Sequence, residues 1–271
     1  MATFATDPLA VCEAAARAGG QVLREHAGRL AEEGVMRKGP GDFVTAADYA
    51  SQREVRRILL EAFPDHGFVG EENDGLARGG STGLRWIVDP LDGTTNFVHG
   101  FPAYCVSIAL ADGETLLVGA IYDPVRNECF TARRGAGAFR DGSPIRVPQV
   151  RDLSAALVAV SFPPQVAADS AALADFVAIA PHTQSIRRTG STAINLAYLA
   201  CGRLHGFWAR RIACWDVAAG FLIVQEAGGV VESLASPADP PALDDPAFIA
   251  GSSPELVVAL RGLLAPAAAR G

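Results

Sequence analysis

The chain has 271 residues, 49% of them apolar and 7% aromatic, with a mean hydropathy of +0.20. That length suits one or two domains whose core is built from Ala, Val, Leu and Ile, and it excludes a disordered chain of low hydrophobicity. The net charge of −7, from 30 acids against 23 bases, is the wrong sign for a protein held on nucleic acid through phosphate contacts. No apolar run reaches the ~18–20 residues that span a bilayer, and Asp7, Pro8 and Glu13 interrupt any leader-like start, so the expectation is a cytoplasmic protein with no membrane or nucleic-acid partner. Cys12, Cys105, Cys129, Cys201 and Cys214 form no CxxC pair and read as buried thiols of a reducing compartment rather than a zinc site.

A first helix is expected over about 8–27, where Leu9, Val11, Val22 and Leu23 share a face and Gly28 ends it. Thr45-Ala46-Ala47-Asp48 resembles a capping box and opens a second helix over about 47–62, with Val55, Ile58, Leu59 and Ala62 at helical spacing. From 84 to 148 short apolar runs are punctuated by turn dipeptides, which predicts a meander of strands at Trp86–Val88, Cys105–Leu110, Leu116–Tyr122, Glu128–Ala132 and Ile145–Val147. After 155 strands alternate with helices. Strands are expected at Ala156–Ser161, Gln184–Arg188, Leu204–Trp208, Val230–Glu232 and Phe248–Ala250, and helices over 169–180, 191–201, 215–227 and 254–264. The pattern is an α+β half, 1–150, joined near Pro148–Asp152 to an α/β half, 151–271, the two making one layered unit.

Three acidic features each end an apolar run: Glu71-Glu72 after Phe68-Val69-Gly70, Asp89-Pro90-Leu91-Asp92 after Trp86-Ile87-Val88, and Asp216 after Ile212-Ala213-Cys214-Trp215. Carboxylates at the ends of buried strands are held rigidly while they face a crevice. Asp89 and Asp92 lie three apart around a proline, with the Leu91 carbonyl between them, and oxygen-only ligands of this kind suit Mg²⁺ or Mn²⁺. Gly93-Thr94-Thr95-Asn96 then reads as the first turn of a helix capped by Asp92, whose free N–H groups form an anion site. Taken singly, each piece is also an ordinary turn, loop or cap; their joint occurrence is what points to a site.

On these residues the chain resembles the inositol monophosphatase family, the lithium-sensitive, Mg²⁺-dependent phosphatases. The segment 86–102, WIVDPLDGTTNFVHGFP, matches the family's first signature and 215–229, WDVAAGFLIVQEAGG, its second; GEEN at 70–73 and DFVTAADYASQ at 42–52 match two flanking blocks. The resemblance implies an αβαβα sandwich of two sheets and helices, a homodimer, and two or three Mg²⁺ ions per site. It implies that Glu71, Asp89 and the Leu91 carbonyl hold the activating metal and that Asp89, Asp92 and Asp216 hold a second, with Glu71 near a third. Thr94, with Glu71, would orient the attacking water, Asp48 would polarise Thr94, and the Gly93 and Thr94 N–H groups would bind phosphate. In-line displacement by activated water needs no enzyme nucleophile, so His99, Cys105 and Ser107 are not assigned that role.

The resemblance also implies that the organic part of a small phosphate substrate meets the block Arg188-Thr189-Gly190-Ser191-Thr192 through Gly190, Ser191 and Thr192. The family's substrate-contacting glutamate, seven residues before the second-signature aspartate, is Ala209 here, followed by Arg210 and Arg211. Losing an acceptor for a buried hydroxyl weakens an inositol assignment, and Arg210 and Arg211 are expected to favour a second anionic group, as in a sugar bisphosphate or 3′-phosphoadenosine 5′-phosphate, unless they face solvent; histidinol phosphate is a further substrate of the superfamily. Arg37 and Lys38 would lie on a flap over the site. A protein-binding regulatory module is the non-enzymatic alternative.

Overall fold

Asp7 caps the first helix, its Oδ1 accepting from the Leu9 N–H at 3.2 Å, and Pro8 sits at the first helical position, where a missing N–H costs nothing. The computed structural model describes residues 6–28, 35–39, 42–72, 80–237, 239–244 and 246–264, with backbone alone for 35–39 and 42–43. In chain order, α1 (Pro8–His26) is followed by the antiparallel pair β1 (Val35–Gly39) and β2 (Asp42–Thr45), then α2 (Ala46–Ala62). The capping box at the start of α2 is as expected: Thr45 Oγ1 accepts from the Ala47 N–H at 3.1 Å and Asp48 Oδ2 accepts from the Thr45 N–H at 2.8 Å.

A seven-stranded sheet follows, in the order β3 (Gly67–Gly70), β4 (Leu84–Asp92), β5 (Cys105–Asp112), β6 (Thr115–Asp123), β7 (Glu128–Arg133), β8 (Gly137–Arg140) and β9 (Ser143–Ile145), with the short α3 (Thr94–Val98) between β4 and β5. Only β3 and β4 run parallel; the rest is the expected meander. Asp141 and Gly142 both take positive φ, 48° and 76°, in the tight turn that joins β8 to β9. The strand β8 was not expected, because Gly137 opens it and it has few apolar residues, and β9 ends at Ile145, short of the expected Val147.

The second half holds β10 (Leu157–Ser161), α4 (Ala171–Ile179), β11 (Ser185–Arg187), α5 (Thr192–Ala200), β12 (Gly206–Ala209), α6 (Cys214–Glu226), β13 (Val230–Ser233), β14 (Phe248–Gly251) and α7 (Pro254–Leu263). Its sheet runs β11-β10-β12-β14-β13, with β10 parallel to β11 and β12, and β14 antiparallel to its neighbours.

The helices cover both sheets. α1 and α2 pack on one face of the seven-stranded sheet, α5 and α6 on the other, and α4 and α7 beyond the five-stranded sheet, giving α/β/α/β/α layers. Strand alternation produces this. In β4, Trp86 and Val88 join the core under α1 and α2 while Ile87 joins the middle core; in β12, Phe207 and Ala209 face the middle layer while Trp208 faces α4 and α7. Among the described residues no helix is long and apolar enough to cross a membrane.

Candidate active site

Residues three apart on a regular strand point to opposite faces, so Asp89 and Asp92 need a break in register to converge. The break is present. Asp89 pairs with Ser107 and Asp92 with Cys105, so Pro90 and Leu91 stand opposite the single residue Val106, a bulge that returns Asp92 to the face of Asp89. Proline fits there because it has no ladder N–H to give up. That face is the middle layer. Ser107 donates its hydroxyl to the Trp215 carbonyl at 3.2 Å, holding the start of α6 against β5, and Asp216 sits in the first turn of α6, with Oδ2 accepting from the Ala213 N–H at 3.0 Å.

Asp89, Asp92 and Asp216 each bring a carboxylate oxygen into one cluster, all within 4.8 Å of one another. Asp89 is 1% exposed and Asp92 7%. Burial, then the charges of Glu71, Asp92 and Asp216, pushes the Asp89 carboxyl well above the usual range. Burial, then Asp92 and Glu71, raises Asp216 to about 8. Asp92 rises only to about 6, because donors from Ser191, Ala193 and Thr192 oppose its burial. Three convergent carboxylates, two buried and one half-buried, repel until a cation joins them, and an all-oxygen donor set is what Mg²⁺ takes.

The donors on Asp92 correct one expectation. Asp92 does not cap α3, which Gly93 opens at φ +102° with no side-chain cap. Instead Oδ2 accepts from Ser191 Oγ and the Ala193 N–H, each at 2.6 Å, and Oδ1 from the Thr192 N–H at 3.3 Å, so Asp92 caps α5 across the sheet. Ser191 and Thr192 thus join the site through Asp92, and Thr192 Oγ1 lies 2.8 Å from Ser161 Oγ. Asn96 Nδ2 donates to the Ala103 and Thr189 carbonyls at 2.6 and 2.8 Å, and a Cβ on Gly190, at φ +86°, would meet Asn96 at 2.8 Å.

Asp48 and Thr94 meet as expected. Thr94 Oγ1 lies 3.2 Å from Asp48 Oδ1 and 3.1 Å from the Leu91 carbonyl oxygen, and Asp48 Oδ2 also accepts from Thr45 Oγ1 at 2.7 Å. Glu71 follows β3, with its N–H on the Val88 carbonyl at 3.1 Å. Behind it Gln52 and Ser51 were not singled out by sequence: Gln52 grips the Glu72 backbone, and Ser51 Oγ donates to the Pro90 carbonyl at 2.9 Å. Their signal was two polar residues on the buried face of α2, in line with Ala47, Asp48, Val55 and Leu59.

A cleft of about 420 Å³ opens over the cluster, lined by Glu71, Asp92, Asp216, Gly190, Thr192, Ser161, Arg188 and Arg211, with Val160, Phe162, Ile212 and Trp215 as its apolar wall. Arg210 does not line it. Its Nε and Nη2 both bond Asp175 on α4, Nη2 to Oδ1 at 2.9 Å, which corrects the expectation that Arg210 meets substrate. The reason is alternation: Ala209 faces the middle layer, so Arg210 turns to the outer one. His99 is exposed and is not among the residues lining the cleft, and burial beside Asp92 and Asp89 pushes the Cys105 thiol well above its usual range, so it is no activated nucleophile. The expected flap residues Arg37 and Lys38 lie on β1 with side chains outside the described residues; Pro40, Gly41 and Asn73 lie outside the described residues altogether.

The profile of the inositol monophosphatase family matches residues 6–267. The chain is 42% identical over 232 residues to Nus factor SuhB of Xylella fastidiosa, covering 85% of this chain and 83% of that one. It is 38% identical over 230 residues to fructose-1,6-bisphosphatase/inositol-1-monophosphatase of Aquifex aeolicus, covering 84% and 86%. The crystal structure of extragenic suppressor protein suhB from Bartonella henselae superposes with a TM-score of 0.88 at 36% identity, covering 94% of this chain and 96% of that one.

Proposed function

The chain belongs to the inositol monophosphatase family, and from that premise we propose that it is a Mg²⁺-dependent phosphomonoesterase that hydrolyses a small phosphate monoester, inositol 1-phosphate or a related polyol or sugar phosphate, with water as the nucleophile. The observation that carries this reading is the convergence of three aspartate oxygens within 4.8 Å beside a cleft of about 420 Å³. Glu71, Asp89, Asp92, Asp216 and the Leu91 carbonyl are the groups that would hold the metal. When bound, Mg²⁺ neutralises phosphate charge and acidifies water.

The protein's own groups do the rest. Thr94 has one hydroxyl proton; given to Asp48 Oδ1, it leaves Oγ1 with lone pairs that accept from water and fix its direction of attack. Glu71, which lines the cleft and whose charge bears on Asp89, Asp92 and Asp216, takes the second contact to that water. The start of α3 leaves its first N–H groups without helical acceptors, and those of Gly93 and Thr94 are assigned to phosphate oxygens. Gly190, Ser191 and Thr192 meet the organic part of the substrate. The same reading carries sensitivity to Li⁺ and a homodimer in the cytoplasm.

Phosphate release over a panel of polyol, sugar, amino-alcohol and nucleotide phosphates, with Mg²⁺ and with or without Li⁺, tests this beside Asp89→Asn. Mg²⁺-dependent release that Li⁺ inhibits and the variant loses is expected. Release that survives the variant, or none on any substrate, refutes it. A regulatory reading is favoured by similarity to a protein called a Nus factor; a chain acting only through partners would release no phosphate.

A further inference from the structure

The bulge that brings Asp89 and Asp92 together puts the Pro90–Leu91 peptide where the pairing of β4 with β5 shifts register. Buried backbone polar groups need partners, and side chains supply one at each end of this peptide. Its carbonyl, from Pro90, accepts from Ser51 Oγ on α2 at 2.9 Å. Its N–H, from Leu91, donates to Asp89 Oδ1 at 2.9 Å. One end is therefore held by the helical layer, and the other by a carboxylate of the aspartate cluster.

Ser51 is wholly buried, and α1 closes over it: a Cβ on Gly19 would come within 2.9 Å of Ser51 Oγ and 2.8 Å of the Val55 side chain. A residue without a side chain lets α1 lie that close, so the hydroxyl is enclosed between α1 and the bulge. Removing it takes from the Pro90 carbonyl the donor that α2 provides and leaves the peptide held at its N–H end alone. Rotation of that peptide draws the Leu91 N–H away from Asp89 Oδ1. It also redirects the Leu91 carbonyl, which Thr94 Oγ1 meets at 3.1 Å. Two of the oxygens assigned to the metal thus depend on one hydroxyl that does not line the cleft.

We propose that Ser51 is a positioning residue of the metal site: through the Pro90–Leu91 peptide it orients the Asp89 carboxylate and the Leu91 carbonyl, and so sets the affinity for Mg²⁺ and the discrimination against Ca²⁺. This rests on the metal-dependent phosphatase reading above. Mg²⁺ demands near-ideal octahedral geometry with short bonds to oxygen, whereas Ca²⁺ accepts longer bonds and irregular arrangements. Loosening two ligand oxygens therefore costs Mg²⁺ more than Ca²⁺, and that difference separates a positioning role from a general loss of stability.

Calorimetric titration of Mg²⁺ and of Ca²⁺ into the parent, Ser51→Ala and Ser253→Ala tests this without turnover. Ser253 is the control: it is also buried, and its hydroxyl donates to the Val150 carbonyl at 2.8 Å, but at the start of α7 in the outer layer. Mg²⁺ binding to Ser51→Ala is expected to weaken by ~10-fold or more, as losses of groups that orient metal ligands do, and Ca²⁺ binding by less. Ser253→Ala loses thermal stability and binds both ions as the parent does. Where Ser51→Ala does not fold, Ser51→Cys, with a similar shape and a weaker donor, gives a smaller loss of the same kind. Parent-like affinity for Mg²⁺ in the folded Ser51 variant, or equal losses for the two ions, overturns the positioning role and leaves the phosphatase reading standing. A parent that binds no Mg²⁺ removes the metal reading, and the role of Ser51 with it.

Discussion

Asp89 and Asp92 share a face of β4 because two residues, Pro90 and Leu91, stand opposite the one residue Val106 on β5. The bulge converts a spacing that should separate the carboxylates into one that presses them together, at a cost in charge repulsion that the folded chain bears when no cation is bound. Asp89→Asn keeps an oxygen for the Leu91 N–H, which Asp89 Oδ1 meets at 2.9 Å, and removes one charge. In chelator, the variant is expected to be more stable than the parent by ~1–2 kcal/mol, or roughly 2–8 °C in Tm for a chain of this size. Adding Mg²⁺ should raise the Tm of the parent and leave the variant nearly unchanged. Thermal denaturation with and without Mg²⁺ checks both; a parent indifferent to Mg²⁺ would remove the metal assignment.

Gln52 holds the Glu72 backbone at two points, donating from Nε2 to its carbonyl at 2.7 Å and accepting from its N–H at 3.1 Å. A Cβ on Gly70 would come within 2.2 Å of the same Gln52 oxygen, so the clamp closes tightly on the segment that carries Glu71. Gln52→Ala leaves a buried N–H and a buried carbonyl unpaired, expected to cost about 2–4 kcal/mol. Because Glu71 directly precedes the clamped residue, the Mg²⁺ concentration for half-maximal activity should rise several-fold. Denaturant unfolding and a Mg²⁺ titration of activity measure the two effects; a stability loss with an unchanged Mg²⁺ requirement would confine Gln52 to a structural part.

What sequence made legible here is local. The capping box at Thr45, the meander turns and the strands that run into Glu71 and Asp89 all depend on residues within a few positions of one another, and the structure has each of them, whereas the run before Asp216 leads into a helix rather than ending a strand. The errors are contacts across the fold. Asp92 looked like the cap of the helix that follows it, but the N–H groups it meets belong to α5, about a hundred residues on. Arg210 looked free for substrate because its partner, Asp175, is a lone acid in an apolar helix. Propensity and spacing carry no information about such pairs; only strand alternation, once the register of β12 is known, sends Arg210 outward.

The Arg210–Asp175 pair is buried, with the two side chains 14% and 0% exposed. Removing one partner strands the other's charge, so Arg210→Ala should cost ~3–5 kcal/mol, while replacing both with apolar residues of similar volume should cost far less. A double-mutant cycle by denaturant unfolding checks this. Additive losses would mean that the pair is solvated in solution.

His205 gives the chain a pH-sensitive joint. Its Nδ1 accepts from the Leu157 N–H at 3.0 Å, which only the neutral ring can do, and burial holds its pKa below the usual value. The folded pKa lies below the unfolded one, so its stabilisation is complete above about pH 6.5 and is lost as pH falls through the folded value. His205→Asn keeps an acceptor and does not titrate. Between about pH 7.5 and 5.5 the parent should lose more stability than this variant, by roughly 0.5–1 kcal/mol. The comparison cancels the carboxylate cluster, which both proteins share; equal slopes would remove His205 as the cause.

Ala209 and Ser161 face the cleft side of one sheet, and Ala209 is 1% exposed. A glutamate there would extend past Ser161 and supply the acceptor that a polyol hydroxyl lacks in this chain. Ala209→Glu should therefore raise kcat/KM on inositol 1-phosphate by ~10-fold or more, since satisfying a desolvated hydroxyl is worth ~1–3 kcal/mol. It should also lower stability, because a carboxylate replaces a methyl group packed with the middle core. The two effects separate by experiment: activity is compared at a temperature where unfolding curves show both proteins folded. A folded variant with no gain on inositol 1-phosphate would mean that the substrate does not reach this strand end, and would place the polyol wholly against Gly190 and Thr192.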